Sequence, residues 1–372
     1  MMDEEARATG LVPAWERPRN GRPRRGRRWP FRRPARETRP VVAERDAATY
    51  AALDLGTNNC RLLVARPTDD GFRVVDAFSR IIRLGEGVSA SGRLGEAAIA
   101  RAVAALSICR DKMRNRGVTR SRLIATEACR AAENGAEFLE RVRAEVAIEL
   151  EIIDRETEAT LAATGCTPLI ADDASGVILF DIGGGSSELV RLDRTVSPRG
   201  GPPEPVMRGW VSLPVGVVTL AERHGGTRVD RALFETMVAE VQDHVERFAA
   251  AHGRGIAGMH MLGTSGTVTT IAGVHLELPR YDRRRVDGCW LGEEQVTRVV
   301  ERLLAMSYEE RVANPCIGRE RADLVLAGCA ILEAIRRVFP CARLRVADRG
   351  LREGMLVQLM REDGVWQGAA AS

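Results

Sequence analysis

The sequence contains one short pattern twice, and this duplication restricts the folds available to the chain. Residues 52–58 (ALDLGTN) and 179–186 (LFDIGGGS) are each an apolar run that ends in aspartate and then turns through glycine. The order of predicted elements around each run is also the same. Because the 372 residues exceed the roughly 250 to 300 residues that one hydrophobic core supports, we predict two similar α/β domains, over residues 48–170 and 171–362.

Each copy opens with three strands joined by short turns, which predicts an antiparallel meander, and continues with alternating helices and strands, which predicts parallel pairing. The first copy has predicted strands at Tyr50–Asp54, Cys60–Pro67, Phe72–Ile82, Leu123–Thr126 and Glu151–Ile153, and predicted helices at Gly95–Arg116, Glu133–Val146 and Glu156–Gly165. The second copy has predicted strands at Val177–Asp181, Ser187–Leu192, Val211–Pro214, Met259–Leu262 and Leu344–Ala347. Its predicted helices are Arg231–Ala251, Glu293–Val338 and a last helix that follows the strand Leu344–Ala347 and ends at about Met360.

The formal charge is concentrated at the N-terminus. Residues 1–45 hold 13 arginines against 6 acidic residues, a net charge of +7, so the rest of the chain carries −3 of the total of +4. Residues 1–47 are also rich in proline and glycine, which predicts a disordered arginine-rich tail. A solvated tail and a tail that binds polyanions both fit this composition. Residues 363–372 are predicted to form a short second tail.

A single lysine, Lys112, excludes two classes of enzyme. Schiff-base enzymes need a lysine amine and P-loop nucleotidases need a lysine in a glycine loop, whereas Lys112 lies in a charged helical pattern. The eight cysteines show no spacing typical of structural zinc. The sequence has neither the roughly 20 apolar residues of a membrane span nor a secretory signal. We therefore predict a cytoplasmic protein.

The two repeated glycine turns have the chemistry of phosphate-binding loops. Glycine lets backbone N–H groups approach an anion closely, and short polar side chains add donors. The opposed carboxylates of Asp54 and Asp181 are oxygen ligands that suit Mg²⁺. The candidate phosphate-binding residues are Asp54, Gly56, Thr57 and Asn58 in the first loop and Gly183, Gly184, Gly185 and Ser186 in the second.

A third glycine-containing segment, residues 263–267 (GTSGT), follows a predicted strand and opens a helix. The N–H groups at a helix N-terminus bind anions, so Gly263, Ser265, Gly266 and Thr267 are further candidates. An ordinary helix cap explains the same residues equally well.

Six segments of the sequence resemble one known family. They are residues 52–58 (ALDLGTN), 125–130 (ATEACR), 151–159 (EIIDRETEA), 180–189 (FDIGGGSSEL), 263–267 (GTSGT) and 348–354 (DRGLREG). Together they are similar to the exopolyphosphatase and guanosine pentaphosphate phosphohydrolase family, over about residues 48–362. The resemblance implies duplicated ribonuclease H-like domains of the actin-like ATPase fold, with a cleft between them. It is to the short members of the family, which lack a further helical domain.

The resemblance also implies roles for particular residues. Glu158 matches the catalytic glutamate of the family and Arg130 its phosphate-binding arginine. Asp181 and Glu188 match the second loop, which binds phosphate and metal, and Asp54 matches the first. The implied cofactor is Mg²⁺ and the implied substrates are inorganic polyphosphate and guanosine pentaphosphate, with a homodimer left open. The sequence departs from the family at Asn59, where serine is frequent, and at Thr157, where glutamate is frequent.

Without the resemblance, several of these residues have ordinary interpretations. Glu158 fits an acidic residue in the first turn of a helix capped by Asp154. Arg130 fits a surface arginine, and Cys129 fits a buried inert thiol better than a reactive thiolate. At the level of function, a kinase of the same superfamily and a non-enzymatic sensor of guanosine polyphosphates stay open as alternatives to a hydrolase.

Overall fold

The computed structural model describes residues 48–69, 71–195 and 204–366. The predicted arginine-rich tail over residues 1–47 lies outside these ranges, as do residues 367–372 of the second predicted tail. The described residues form one compact unit built on two mixed β-sheets. We call residues 48–170 the N-terminal half and residues 171–366 the C-terminal half. The predicted domain boundary at residue 170 stays a prediction.

The sheet of the N-terminal half has the strand order β3-β2-β1-β4-β5. The central strand, β1, pairs antiparallel with β2 and parallel with β4. The apolar side chains of β1 are buried because the sheet is covered on both faces. The strands are β1 (Tyr50–Leu55), β2 (Asn59–Thr68), β3 (Gly71–Ile81), β4 (Arg120–Ala125) and β5 (Glu151–Ile152). The helices are α1 (Val88–Ser91), α2 (Glu96–Asn115), α3 (Glu127–Ala131), α4 (Gly135–Val146) and α5 (Arg155–Cys166).

The sheet of the C-terminal half repeats this arrangement in the order β10-β11-β9-β6-β7-β8. Its central strand β6 again pairs antiparallel with the next strand and parallel with β9. The strands are β6 (Gly176–Ile182), β7 (Ser187–Thr195), β8 (Glu204–Leu213), β9 (His260–Thr264), β10 (Trp290–Gly292) and β11 (Arg343–Ala347). The helices are α6 (Val217–His224), α7 (Arg231–His252), α8 (Ser265–His275), α9 (Arg283–Val286), α10 (Glu293–Ala305), α11 (Tyr308–Ala313), α12 (Val325–Val338) and α13 (Leu351–Glu362).

The predicted duplication is confirmed by the topology, since both sheets contain the same meander and the same parallel strands. One addition is β10, a three-residue strand that pairs antiparallel with β11 at the sheet edge. Its shortness leaves no periodic pattern to detect in the sequence. Helix α3 is also an addition to the elements predicted from the sequence. The helix predicted to begin at Glu133 begins instead at Gly135.

The prediction of one helical stretch from Glu293 to Val338 is wrong. The stretch contains three helices, α10, α11 and α12, with irregular backbone between the last two. A new helix begins after Ser307, whose side chain accepts a hydrogen bond from the Glu310 N–H while Glu310 caps in return. The next break follows at Asn314, which precedes a proline and is therefore disfavoured in helical backbone.

Helices α5 and α13 join the two halves. Helix α13 follows the last strand of the C-terminal half but packs on the N-terminal sheet, where Met355 and Leu356 join the core around Tyr50 and Leu63. Helix α5 packs in turn on β7 and β8. The two helices also contact each other along their length. Each half therefore contributes one helix to the packing of the other.

The first residues of the predicted second tail are part of this packing. The Tyr50 hydroxyl donates to Asp363 Oδ2 at 2.9 Å, and Trp366 Nε1 donates to the Thr68 carbonyl at 3.0 Å. These contacts attach residues 363–366 to the N-terminal sheet.

No helix within the described ranges is long and apolar enough to cross a membrane. All eight cysteines lie in these ranges and are free. Cys129 is buried, and burial raises the pKa of its thiol to about 12, which supports the inert interpretation.

Candidate active site

A cleft with a volume of about 740 Å³ lies between the two sheets. Residues from both halves line it, including both repeated loops, Glu158 and part of the third glycine-containing segment. The sequence therefore predicted the elements that meet in this cleft, although they are far apart in the chain.

The first and second loops are hairpin turns of the same geometry. The Gly56 N–H donates to the Asn59 carbonyl at 2.9 Å, and the Gly183 N–H donates to the Ser186 carbonyl at 3.0 Å. In each turn an aspartate stands on the preceding strand, Asp54 on β1 and Asp181 on β6. The duplication thus places two equivalent turns at equivalent strand ends.

The two turns touch each other across the cleft. A Cβ atom at Gly184 would lie 2.9 Å from Thr57 Cβ, and one at Gly185 would lie 2.9 Å from Thr57 Oγ1. Real Cβ contacts are longer than this, so the close approach of the loops requires glycine. Contact with the first loop is therefore sufficient to require glycine at positions 184 and 185, independently of any ligand.

Four carboxylates face this junction, Asp54 and Glu158 from the N-terminal half and Asp181 and Glu188 from the C-terminal half. Burial is the main cause that raises the pKa of each. The pKa rises to about 6 for Asp181 and to about 7 for Glu188, where the charge of Asp181 adds to the effect of burial. Glu188 is buried and accepts hydrogen bonds from the hydroxyls of Ser186 and Ser212, both at 2.8 Å.

Glu158 lies in the first turn of α5, as predicted, and Asp154 caps that helix by accepting from the Thr157 N–H at 2.7 Å. Burial, followed by the charge of Glu188, raises the pKa of Glu158 well above its usual range, and Arg130 partly offsets this rise. A carboxylate with a raised pKa is a stronger proton acceptor, which suits a general base.

Arg130 lies on α3 beside Glu158. Its Nη2 donates to Glu158 Oε2 at 3.1 Å and to Glu127 Oε2 at 2.6 Å, and its Nη1 donates to the Ile153 carbonyl at 2.6 Å. The side chain is 16% exposed, so the interpretation of Arg130 as an ordinary surface residue does not hold. Glu127 lines the cleft, whereas Arg130 lies behind it, yet Glu127 was not predicted as a site residue although it lies inside the motif at residues 125–130.

The third segment contributes to the cleft only in part. Ser265, Gly266 and Thr267 line it, and Ser265 has a positive φ of 79° and donates a hydrogen bond to the Ile182 carbonyl. Gly263 instead lies inside β9, where a Cβ atom would be 2.5 Å from the Phe180 ring. Gly263 is therefore a strand residue whose small size allows close packing against Phe180, and it does not belong to the loop.

Six arginines that were not predicted as site residues also line the cleft. Arg283, Arg349 and Arg352 form ion pairs with carboxylates. Within the described part of the chain, Arg61, Arg80 and Arg321 form none. Burial lowers the pKa of Arg321, and the positive charge of Arg61 adds to this effect. Neighbouring cations that have no carboxylate within ion-pair distance favour an anionic ligand.

The residues of the cleft fit a magnesium ion for which the protein would supply only some of the ligands. Among the described residues, no three His, Cys, Asp or Glu side chains are arranged to hold a metal by themselves. Mg²⁺ is commonly bound through one or two carboxylates, with water and substrate phosphates as its other ligands. Asp54, Asp181 and Glu188 suit this mode, and the buried Oδ1 atoms of Asn58 and Asn59 have no hydrogen-bond partner within the protein.

Paired α/β sheets of this topology, joined by a cleft with two equivalent hairpins, define the two-domain actin-like fold. The family model that matches residues 63–363 is described as the Ppx/GppA phosphatase family. Since this match covers most of the sequence, the chain belongs to the Ppx/GppA phosphatase family.

Individual relatives agree with the family match. The chain is 27% identical over 312 residues to the guanosine-5'-triphosphate,3'-diphosphate pyrophosphatase of Aeromonas hydrophila, covering 84% of this chain and 59% of that protein. It is 27% identical over 329 residues to exopolyphosphatase 2 of Mycobacterium tuberculosis, covering 83% of this chain and 98% of the relative. The crystal structure of the Aquifex aeolicus family member superposes with a TM-score of 0.68 at 28% identity, covering 85% and 98% of the two chains.

Proposed function

We propose that the protein is a phosphohydrolase that releases terminal phosphate from inorganic polyphosphate, from guanosine pentaphosphate, or from both. The observation that carries this proposal is the meeting of two equivalent glycine hairpins beside Glu158 in one cleft, with Arg130 hydrogen-bonded to Glu158 from behind. Backbone N–H groups from both hairpins bind the terminal phosphate, and the unpaired Arg61 and Arg321 attract the charged remainder of the substrate. The names of the relatives support the same substrate classes.

In the proposed reaction Glu158 orients a water molecule and takes its proton as the water attacks the terminal phosphorus. The bond from that phosphorus to the bridging oxygen breaks, and this oxygen leaves as the new terminal oxygen of the substrate shortened by one phosphate. The guanidinium of Arg130, which lies 3.1 Å from Glu158, holds the phosphate and offsets the charge that grows on its oxygens. Phosphoanhydride cleavage depends mainly on such positioning and charge neutralisation. The Glu188 carboxylate, which is held by two hydroxyls, keeps a fixed orientation beside the second hairpin.

The proposed cofactor is Mg²⁺. Asp54, Asp181 and Glu188 are the residues that would hold it, directly or through water. When bound, the ion neutralises phosphate oxygens and so lowers the barrier to attack by water.

The test of this function is phosphate release from the purified protein with Mg²⁺, measured side by side on long-chain polyphosphate and on guanosine pentaphosphate. We expect release from at least one substrate and a ratio of kcat/KM that identifies the preferred one. Binding of either substrate without phosphate release would instead identify a sensor. Transfer of phosphate from ATP to an added alcohol would identify a kinase.

We further propose that the arginine-rich residues 1–45 recruit long polyphosphate through their net charge of +7. Such attraction is long-ranged and is screened as the salt concentration rises. Deletion of these residues should raise KM for long polyphosphate at low salt, with little change at high salt and with kcat unaltered. The same KM at every salt concentration for both proteins would exclude this role.

A further inference from the structure

Glu127 is an acidic residue of the cleft that lies beside Arg130 and to which the proposed mechanism gives no task. It is the first residue of α3, and its side chain is 15% exposed, close to the 16% of Arg130 and the 14% of Glu158. At this depth charges are poorly screened by solvent, so the contacts between the three side chains are strong. Its contacts with Arg130 and Arg155 offset the cost of holding a carboxylate at this depth.

Glu127 holds the Arg130 guanidinium more extensively than Glu158 does. Oε2 of Glu127 accepts from Arg130 Nε at 3.1 Å and from Nη2 at 2.6 Å, whereas Glu158 accepts one hydrogen bond at 3.1 Å. The Ile153 carbonyl accepts from Nη1 at 2.6 Å. Arg130 would therefore keep its orientation if Glu158 turned away.

Glu127 is itself held from both sides. Its other carboxylate oxygen, Oε1, accepts from Arg155 Nη2 at 2.9 Å. Its Cγ atom lies 3.0 Å from the position that a Cβ would take at Gly185, so the side chain packs directly on the second hairpin. Glu127 thus connects Arg130 of the N-terminal half with the second hairpin, which belongs to the C-terminal half.

The proposed reaction makes two demands on the contact between Arg130 and Glu158. Glu158 must be free to accept a proton, and Arg130 must face the phosphate. Both demands require the two side chains to separate during turnover. A second anionic partner that does not take part in proton transfer allows this separation without loss of the arginine's position.

We propose that Glu127 is a positioning residue that holds Arg130 toward the phosphate and thereby frees Glu158 for the attacking water. This inference rests on the proposed phosphohydrolase function. Without the Glu127 charge, Arg130 pairs with Glu158 alone, so the base is weakened and the phosphate loses its arginine.

The test is Glu127→Gln, which removes the charge and preserves the size. The matched control is Glu156→Gln, an exposed acid in the first turn of α5 that removes the same charge close by. We expect kcat/KM to fall by about 10- to 100-fold in Glu127→Gln, the effect typical of a misplaced catalytic group, and to stay near wild type in the control.

A pH profile separates positioning from a merely structural role. The charged groups that face Glu158 are Arg130 on α3, Glu188 on β7 and Asp54 on β1. In Glu127→Gln the exclusive pairing with Arg130 stabilises ionised Glu158, so the acid limb of kcat/KM should move to lower pH while the plateau falls. A lower melting temperature with wild-type kinetics and an unmoved acid limb would overturn the inference.

A second variant covers the case in which Glu127→Gln does not fold. Glu127→Asp keeps the charge but shortens the side chain by one methylene, so we expect an intermediate loss of kcat/KM with the acid limb unmoved. Full wild-type activity of the aspartate variant would also count against positioning, since a shorter side chain cannot keep the same contacts with Arg130.

Failure of the proposed function would look different, because the wild-type protein would then release phosphate from neither substrate. In that case calorimetric binding of inorganic tripolyphosphate with Mg²⁺ decides the inference. An affinity about tenfold weaker in Glu127→Gln than in Glu156→Gln would support the positioning of Arg130. Equal affinities would overturn it.

Discussion

Glu158 shows how neighbouring groups set the chemistry of one side chain. Burial and the charges of Glu188 and Asp54 raise its pKa, and the ion pair with Arg130 opposes this rise. The balance leaves a carboxyl group that is harder to ionise than an exposed glutamate and therefore holds a proton more readily. The helix capped by Asp154 keeps this group at the cleft.

Glu158→Gln tests the base directly. Glutamine is nearly isosteric but cannot take a proton, so kcat should fall by about 10² to 10⁴ while the affinity for substrate stays close to wild type. Steady-state phosphate release gives kcat, and calorimetry gives the affinity. Glu156→Gln, an exposed neighbour, serves as control. Turnover near the wild-type rate in Glu158→Gln would remove this residue from the mechanism.

The raised pKa of Glu188, about 7 against a usual 4.5, predicts a pH-dependent stability. Between these values the folded protein keeps a proton that the unfolded chain has released, so without divalent cations the stability falls as the pH rises from 5 to 8. Glu188→Gln retains acceptors for Ser186 and Ser212 but does not ionise. Relative to wild type it should therefore gain on the order of 1 to 3 kcal/mol at pH 8 and little at pH 5.

Urea unfolding at several pH values, with EDTA, measures this difference. Adding Mg²⁺ should stabilise the wild-type protein more at pH 8 than at pH 5, because metal binding competes with protons, and should stabilise Glu188→Gln less. A difference between the two proteins that does not change with pH would contradict the expected ionisation of Glu188.

At the scale of elements, local signals decide how far the sequence predicts the structure. The two hairpins could be predicted because an apolar run, an aspartate and glycines lie within a few residues of each other. Arg61 and Arg321 could not, since one lies within a strand and the other in the irregular segment before α12, and only tertiary packing brings them to one cleft. Glu127 lay within a motif, but its contact with Gly185 joins segments almost 60 residues apart.

The crossing of α5 and α13 is another feature that only packing explains. A Cβ atom at Gly354 would lie 1.9 Å from the Leu161 carbonyl oxygen, and one at Gly165 would lie 2.0 Å from the Gly350 carbonyl oxygen. Each helix therefore presents a glycine to the backbone of the other. This close approach connects the helix that carries Glu158 with the helix that packs on the N-terminal sheet.

Gly354→Ala should push these helices apart. Overpacking of this kind typically costs about 1 to 3 kcal/mol, and the contact here is with backbone that cannot rotate away. The control is Gly71→Ala at the start of β3, where a Cβ atom meets nothing within 4 Å and the effect should stay within about 0.5 kcal/mol. Chemical denaturation of both variants gives the comparison. Equal stability of the two would show that the helices separate without cost.

For the whole molecule, contacts at the edge of the cleft join the two halves. Arg83, which follows β3, donates to both carboxylate oxygens of Asp323 at 2.9 Å and to the Glu320 carbonyl at 3.0 Å. The Gly87 N–H donates to Glu222 Oε1 at 2.9 Å. The backbone N–H of Arg83 in turn donates to the Asn58 carbonyl of the first hairpin. One ion pair therefore links the first hairpin to the segment that carries Arg321.

Asp323→Asn should weaken this link and raise KM for polyphosphate. The side chains of Arg83 and Asp323 are 31% and 24% exposed, so loss of their ion pair should cost on the order of 1 kcal/mol. If substrate binding must bring the two halves back together, this cost corresponds to a roughly three- to tenfold weaker affinity. Since Asp323 touches none of the proposed reacting groups, kcat should change little. Arg83→Gln should have the same effect, and the double variant should add little to either single one.

The matched control for this pair is Glu235→Gln, which removes a similar two-point ion pair with Arg337 at 2.8 and 3.0 Å inside the C-terminal half. It should lower the stability by a similar amount and leave KM unchanged. An equal rise of KM in Asp323→Asn and in this control would mean that KM responds to stability in general. The ion pair across the cleft would then have no specific part in holding the Arg321 segment over the substrate.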